Sequence, residues 1–595
     1  MNRCRLLLAV VVTALFMTAC GGGGGFDPPP PPNSISAALT PAAVMVVQNG
    51  EAAIATLHVT RESTGPLNIT VSGLPSGVTM ELAGGTSNDQ NLSFSAVNTT
   101  QNNAGSHLGS ITVTDGQATV RVPVTVSVAI AAAPTTVAEK TSKMFLSTSF
   151  QPADWSYQFF MTNRAQRLAD LSQLGPRHIN LQPMDGATEK LNPAQAEPLD
   201  FSKMDAIVQP VLAVTDQSPL LQIYAPTWMW VNGDPGQGMK DATFNQFADY
   251  SVMLLKYYNV PAGVTVNGTN YKSPSGQRIE WWGIFNEPNL TALTPQQYVQ
   301  LYNLTAQKML AVDPSIKLVG VELSDWGSEH TRYLPAFVQG VTQPVHALAT
   351  HYYSTCNQRD TDQQVLNNTP YFADHVRYFS QQMATNPALA NLPVWVTENN
   401  VNADFSNNGK SACNPSQNFV ADARGSSAFF AGWRPTVFAQ LMRAGAESLH
   451  HWDYNADQQF GHVDGSTGQK LLSYWLDYWL ARYMTDEDGV EILPVQLSQN
   501  STVEVLAIRK PYGAVTVMIA NTAVKNTTDN NGTGAPRTVV IDTTQLGAFT
   551  SMSLKTIDAT TNILLEPSVQ FSNPATPQIP VALNGYGVTF VELTP

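Results

Sequence analysis

Residues 280–289 read Glu280-Trp281-Trp282-Gly283-Ile284-Phe285-Asn286-Glu287-Pro288-Asn289, an apolar run that ends abruptly in an amide and a carboxylate and is closed by a proline. Leu392-Pro393-Val394-Trp395-Val396-Thr397-Glu398-Asn399 has the same form. Short apolar runs bounded by turn residues read as strands buried on both faces, and a carboxylate at the end of such a strand is costly unless it is solvated or paired. Packing therefore does not explain Glu287 or Glu398.

Working outward, similar runs occupy Met144 to Thr148, His178 to Gln182, Leu220 to Tyr224, Lys317 to Val321, His346 to His351 and Ser448 to Trp452. With Ile279 to Phe285 and Val394 to Thr397 they make eight strands, and the segments between them are helix-like. One such segment, Thr294 to Val312, has Pro295 in its first turn and Tyr298, Leu301, Tyr302, Met309 and Val312 on one face, and it stops before Asp313-Pro314. Eight βα units predict a (β/α)8 TIM barrel over residues 141–488. In that fold chemistry sits at the carboxyl ends of the strands, which places Asn286 and Glu287 after the fourth strand and Glu398 after the seventh.

The flanks follow a different period. Ala55-Thr56-Leu57-His58-Val59, Leu67-Asn68-Ile69-Thr70-Val71 and Thr119-Val120-Arg121-Val122-Pro123-Val124 alternate apolar and polar residues between Gly, Asn and Pro turns, predicting an immunoglobulin-like β-sandwich at 34–130. All 11 Trp lie between Trp155 and Trp479, so this first sandwich lacks the flat ring a sugar-binding module would offer and is expected to be a spacer. Alternation returns in Val503-Glu504-Val505-Leu506-Ala507-Ile508 and Ala514-Val515-Thr516-Val517-Met518-Ile519, giving a C-terminal β-sandwich at 489–595.

At the other extreme, Arg3 and Arg5 precede an apolar stretch, Leu6 to Met17, that is too short to span a bilayer and reads as a signal peptide over residues 1–19. Met17-Thr18-Ala19-Cys20 resembles the lipobox of bacterial lipoproteins, which implies lipidation of Cys20. A Gly/Pro tether fills residues 20–33, and Gly21 after the cysteine implies sorting to an outer membrane, on either its periplasmic or its cell-surface face. Once Cys4 has left with the signal and Cys20 carries lipid, Cys356 and Cys413 remain, and in an exported chain two such cysteines read as a disulfide.

Composition narrows the partners. A chain of 595 residues, 43% hydrophobic and 13% charged, with a net charge of −14, folds over most of its length and offers nothing attractive to a nucleic-acid backbone. A neutral substrate is expected.

The Asn-Glu-Pro motif at Asn286 to Pro288, Thr397-Glu398, and the helix-like Tyr298 to Pro314 together resemble the clan A glycoside hydrolases, most closely family 39, over residues 141–595. The resemblance implies a retaining glycosidase on a TIM barrel, with Glu287 as acid/base, Glu398 as nucleophile and Asn286 on the sugar 2-hydroxyl. It also implies that residues such as His351 and Tyr353 stand near the pair, and period two puts both on one side of Thr350-His351-Tyr352-Tyr353. Trp228 and Trp452, ending the third and eighth strands, are candidate platforms for sugar rings, and Arg177 is a candidate for a sugar hydroxyl or for support of Glu398.

Other chemistries fit poorly. His450, His451 and Asp453 are neighbours in a strand and alternate sides, so no catalytic metal is expected. No phosphate loop, dinucleotide fingerprint or Gly-x-Ser-x-Gly elbow is complete, so no cofactor is expected. The expected partners are a polysaccharide or oligosaccharide and a membrane reached through the N-terminal lipid. The alternative reading is a non-catalytic carbohydrate-binding lipoprotein of an exopolysaccharide system.

Overall fold

The computed structural model describes residues 34–595 apart from 98–102, 152–160, 162, 184–185, 215–218, 325–329, 500–501 and 573–576. The expected signal, Cys20 and the tether lie outside the described residues.

Eight parallel strands close into a barrel: Phe145–Phe150, Ile179–Leu181, Leu220–Ile223, Trp281–Ile284, Lys317–Leu323, Ala347–Thr355, Val394–Asn402 and Ser448–His451. Each overlaps one of the eight runs read from the sequence. A parallel barrel holds its strands between an interior and a ring of helices, and Leu220–Ile223, Val394–Asn402 and Ser448–His451 are accordingly buried at every position. The amino end of the interior is plugged by Phe145, Leu220, Trp281, Val319, Ala347 and Trp395. Trp281 and Trp395 meet with ring centroids 4.6 Å apart, and His178 lies 4.8 Å from Trp395. The barrel is thus a filled core that leaves only its carboxyl end for polar chemistry.

The helix after the fourth strand, Pro295–Val312, starts where the sequence places it. Thr294 accepts from the Gln297 backbone while the Gln297 side chain accepts from the Thr294 backbone, and Pro295 fills the first helical position, where its missing N–H is not needed. The face carrying Tyr298, Leu301, Tyr302 and Met309 is buried. Loops after the sixth and seventh strands are tied by the Cys356–Cys413 disulfide, with Cα atoms 5.9 Å apart. Closing such a span stabilises by about 4 kcal/mol in the chain-entropy account.

The N-terminal sandwich packs Ile35–Thr40, Ala53–Arg61, Asp89–Ala96 and Val78–Gly85 against a sheet that includes Asn68–Ser72, Gly105–Thr114 and Thr119–Pro134. Alternation builds its core, with Ala55, Leu57 and Val59 inward and His58 outward. The strand Thr119–Pro134 runs past residue 130. Its first half pairs with Gly105–Thr114, and its second half pairs with Arg537–Asp542 and Val495–Leu497 of the C-terminal sandwich. One strand therefore belongs to the sheets on both sides of the barrel in sequence. Lys140–Ser142, just before the first barrel strand, adds an edge to the other C-terminal sheet beside Val490–Leu493.

Candidate active site

The fourth strand stops at Ile284, and the chain then takes left-handed φ values at Phe285 (72°) and Glu287 (46°) before Pro288 begins a single 3-10 turn. Non-glycine residues seldom hold such angles without support from their surroundings. Support comes from the fifth strand, where the Glu322 carbonyl accepts from the Glu287 N–H at 2.9 Å. Asn286, next in the chain, is half-buried and its Oδ1 has no protein partner among the described residues.

Glu398 is buried on the seventh strand. Its Oε1 accepts from Gln182 Nε2 at 2.9 Å and its Oε2 from the Tyr353 hydroxyl at 2.8 Å. The Tyr224 hydroxyl donates to Gln182 Oε1 at 2.6 Å, which fixes which end of that amide faces Glu398. Between the two glutamates stands His351, fully buried, with Nδ1 2.9 Å from Glu287 Oε1 and 3.4 Å from Glu398 Oε2. Its Nε2 lies 3.3 Å from Glu322 Oε2, and the Thr397 hydroxyl donates to that same oxygen at 2.6 Å.

Burial and the nearby Glu287 push the Glu398 carboxyl up to about 7, against the opposing pull of His351, Gln182 and Tyr353. Burial works against a charge on His351, yet Glu398, Glu287 and Glu322 hold its imidazole well above the ordinary histidine value. Tyr353 is held well above the usual phenol value by burial and by Glu398, so its hydroxyl stays a donor.

Of the residues singled out in the sequence, Glu287, Glu398, His351 and Tyr353 meet in one hydrogen-bonded cluster, with Asn286 beside it. Trp452 ends the eighth strand region and packs with Ala456, Phe460 and Tyr353, forming a wall next to the Glu398 donor. Trp228 lies on the 3-10 turn Thr227–Met229 after the third strand, half-buried and edge-on to Tyr250. Arg177 is a correction. It precedes the second strand at the amino end of the barrel, pairs with Glu487 at 3.1 Å and lies over the Phe145 ring, so it reaches neither Glu398 nor the mouth. Gln182, at the other end of that strand, holds Glu398 instead.

In the sequence Gln182, Tyr224 and Glu322 have no assigned role in the site, and Thr397 has only a place beside Glu398. Glu322 alone carried a readable signal, a carboxylate in the apolar run Val319-Gly320-Val321-Glu322-Leu323.

Two groups of three potential ligands come together among the described residues. In Glu287, His351 and Glu398 the imidazole Nδ1 lies 2.9 Å from Glu287 Oε1 and 3.4 Å from Glu398 Oε2, so the three already pair with one another. His451 and His462 stack with centroids 3.8 Å apart beside Asp477, but both Asp477 oxygens are held by the Arg434 guanidinium, a cation already in place. His450 points the other way, toward the Trp395 ring of the barrel plug.

Comparison with known proteins places the fold. Residues 263–424 match the family described as the glycosyl hydrolase catalytic core. A monomeric β-xylosidase from Caulobacter crescentus CB15 superposes with a TM-score of 0.54 at 15% identity, covering 78% of this chain and 99% of its own. A family 39 enzyme from Xanthomonas axonopodis pv. citri gives 0.52 at 15% identity over 78% and 97%. A bifunctional glucanase-xylanase from a metagenome library gives 0.51 at 12% over 78% and 99%. No curated protein matches the sequence. The fold is a TIM barrel flanked by β-rich regions on both sides, the architecture these glycoside hydrolases share, family 39 enzymes among them.

Proposed function

We propose that this chain is a retaining O-glycoside hydrolase that cuts a polysaccharide or oligosaccharide by double displacement, with Glu398 as nucleophile and Glu287 as acid and then base. The observation that carries the reading is the pairing of the two glutamates across His351, each with a carboxyl oxygen within 4.8 Å of the other's. Retaining enzymes place their carboxyl groups about 5 to 5.5 Å apart, and inverting enzymes need about 6.5 to 9.5 Å to admit a water. Nearest oxygens within 4.8 Å are what the closer of these two arrangements requires, and this supports direct attack by Glu398.

The hydrogen bonds support the division of labour. Both Glu398 oxygens accept from neutral donors fixed in place, which orients it as the attacking group, whereas Glu287 meets only His351 and is the more exposed of the two, where a proton can pass to a leaving oxygen. In the first step a Glu398 oxygen bonds the anomeric carbon, the bond to the leaving oxygen breaks with its electron pair, and Glu287 supplies that oxygen with a proton. Water then attacks the glycosyl ester while Glu287 removes its proton, and Glu398 leaves as carboxylate. Asn286 Oδ1, buried and without a protein partner, is placed to accept from the sugar 2-hydroxyl beside the reacting carbon. In this reading Trp452, in the wall beside Tyr353, and the half-buried Trp228 are the rings a sugar would stack on.

The net charge of −14 favours a neutral glycan, and neighbours named for xylosidase, glucanase and xylanase activity make β-xylosides and β-glucans the first substrates to try. In this proposal residues 1–19 are removed as a signal, Cys20 carries lipid at an outer membrane, and the N-terminal sandwich and tether hold the barrel away from that surface. The deciding test is a panel of aryl glycosides and glycans with the parent and Glu398→Gln, followed by proton NMR of the first-formed product. A product of retained configuration, lost in Glu398→Gln, is expected; an inverted product overturns the double displacement.

A further inference from the structure

The sixth barrel strand, which carries His351, is flanked by an irregularity on each side. Toward the fifth strand, Val321 pairs with Ala349 and Leu323 with Thr350, so Glu322 is an extra residue. Toward the seventh strand, Thr350 pairs with Val396 and His351 with Glu398, so Thr397 is an extra residue. The first bulge is strained: Val321 and Glu322 take φ of 67° and 48°, and a β-branched residue holds that region only under strong constraint. The two inserted residues meet beneath His351, where the Thr397 hydroxyl bonds Glu322 Oε2 at 2.6 Å. Bulges beside active sites re-aim side chains, and these two bring Glu322 under the imidazole and Glu398 level with it.

Glu322 is fully buried, and a carboxylate there persists only if it is paired and hydrogen-bonded. Its partner is His351 Nε2, while Nδ1 of the same ring faces Glu287 and Glu398. A neutral imidazole has one N–H, so its ring lone pair would face Glu322 or Glu287 and draw a proton from it; only the imidazolium donates from both nitrogens and leaves Glu287 its proton for the leaving oxygen. We propose that Glu322 is a positioning residue of the catalytic centre, which holds His351 as a permanent imidazolium so that the proton of Glu287 goes to the glycosidic oxygen and not to the ring. The proposal rests on the glycosidase reading for its consequence in catalysis, but its structural part stands on the ring itself.

The surroundings leave His351 the one cation of the cluster. His330, on the helix His330–Gly340, is brought down to about 4 by burial, and His450 of the eighth strand is held well below its ordinary value by burial and by neighbouring cationic groups, so both stay neutral toward His351. Tyr353 and, above Glu322, Tyr298 are kept as neutral phenols by burial. Gln182 and Thr397 carry no charge. Among the described residues the charges facing the ring are thus Glu287, Glu322 and Glu398.

The test uses the full chain labelled with 15N-histidine, with the His351 ring signals assigned through His351→Asn. In the parent at pH 7 both ring nitrogens are expected to carry protons; a singly protonated ring would overturn the proposal without any change at Glu322. In folded Glu322→Gln the ring is expected to lose its proton about one pH unit or more lower than in the parent, and Glu322→Asp should restore most of the difference. An unchanged midpoint in folded Glu322→Gln overturns the proposal. A parent that cleaves no glycoside would remove the glycosidase reading, and the ring titration would still decide the role of Glu322.

Discussion

The two ends of the barrel interior are built from the same eight strands and hold opposite chemistry. Phe145, Trp281 and Trp395 fill the amino end, where buried His450 is kept neutral. Glu287, Glu322 and Glu398 ring the carboxyl end, where equally buried His351 is kept charged. Burial disfavours charge on both histidines, so burial alone cannot be what separates them. The difference is the company: an apolar ring and cationic groups beside His450, three carboxylates around His351. A closed barrel has one apolar plug to spend on stability and one open end on which to gather charge, and this chain keeps the two functions on separate layers.

The sharpest way to break that contrast is at the carboxyl end. Glu398→Ala should lower kcat by roughly 10⁴-fold or more on every substrate, since no group replaces the nucleophile. Glu287→Ala should lower it by roughly 10²- to 10⁴-fold on alkyl glycosides, far less on aryl glycosides with good leaving groups, and added azide should restore part of the rate. Steady-state kinetics on paired substrates reads both, and equal losses on all substrates in Glu287→Ala would remove its assignment as acid.

Disturbing the plug should do the reverse. Trp395→Ala empties a fully buried site at the amino end and should destabilise by about 3–5 kcal/mol, seen as a lower thermal midpoint, while the folded fraction keeps a kcat/KM within a few-fold of the parent. A kinetic loss comparable to that of Glu287→Ala would show that the layers are not separable.

A third, milder perturbation is pH. The reaction needs one proton on the carboxyl pair, and burial together with the neighbouring Glu287 pushes the Glu398 carboxyl of that pair up to about 7. Below that value the pair is singly protonated and competent; as pH rises through it the proton is lost and transfer to the leaving oxygen fails. kcat/KM on alkyl glycosides should therefore fall above about pH 7, with the limb weaker for aryl glycosides with good leaving groups. A profile flat to pH 9 for both substrates would contradict the shared proton.

The smallest effect is expected at Arg177, exposed at the amino end and paired with Glu487. Arg177→Ala should change stability by under about 0.5 kcal/mol and leave kinetics unaltered. Loss of activity would return this residue to the site from which the structure removes it.

These regions were not equally legible in the sequence. The eight strands could be read because burial on both faces leaves a continuous apolar run, and the helix Pro295–Val312 because Thr294, Pro295 and Gln297 write its start in local chemistry. Glu287 and Glu398 stood out because a carboxylate ending such a run has no packing role. Gln182 did not, because an amide after a strand looks like any turn residue until the seventh strand is beside it. Arg177 was a candidate for its charge alone; its place before the strand, not after it, puts it at the wrong end.

Glu322 marks the boundary between the two kinds of information. Its type and its apolar setting were on view, but a period of two places it on a face only if the strand is regular, and the bulge that aims it at His351 exists only where the fifth and sixth strands pair out of step. The strand Thr119–Pro134 poses the same problem on a larger scale: alternation identifies it as a strand, while its division between two sandwiches depends on Arg537–Asp542, some four hundred residues away. The sequence by itself determined which segments are strands, which way their faces alternate and which two carboxylates lack a packing reason, because these follow from local periodicity and the cost of burying charge. Only the tertiary structure decided which strand ends converge, which histidine is charged and which residue holds it so, because those are set by contacts between segments far apart in the chain.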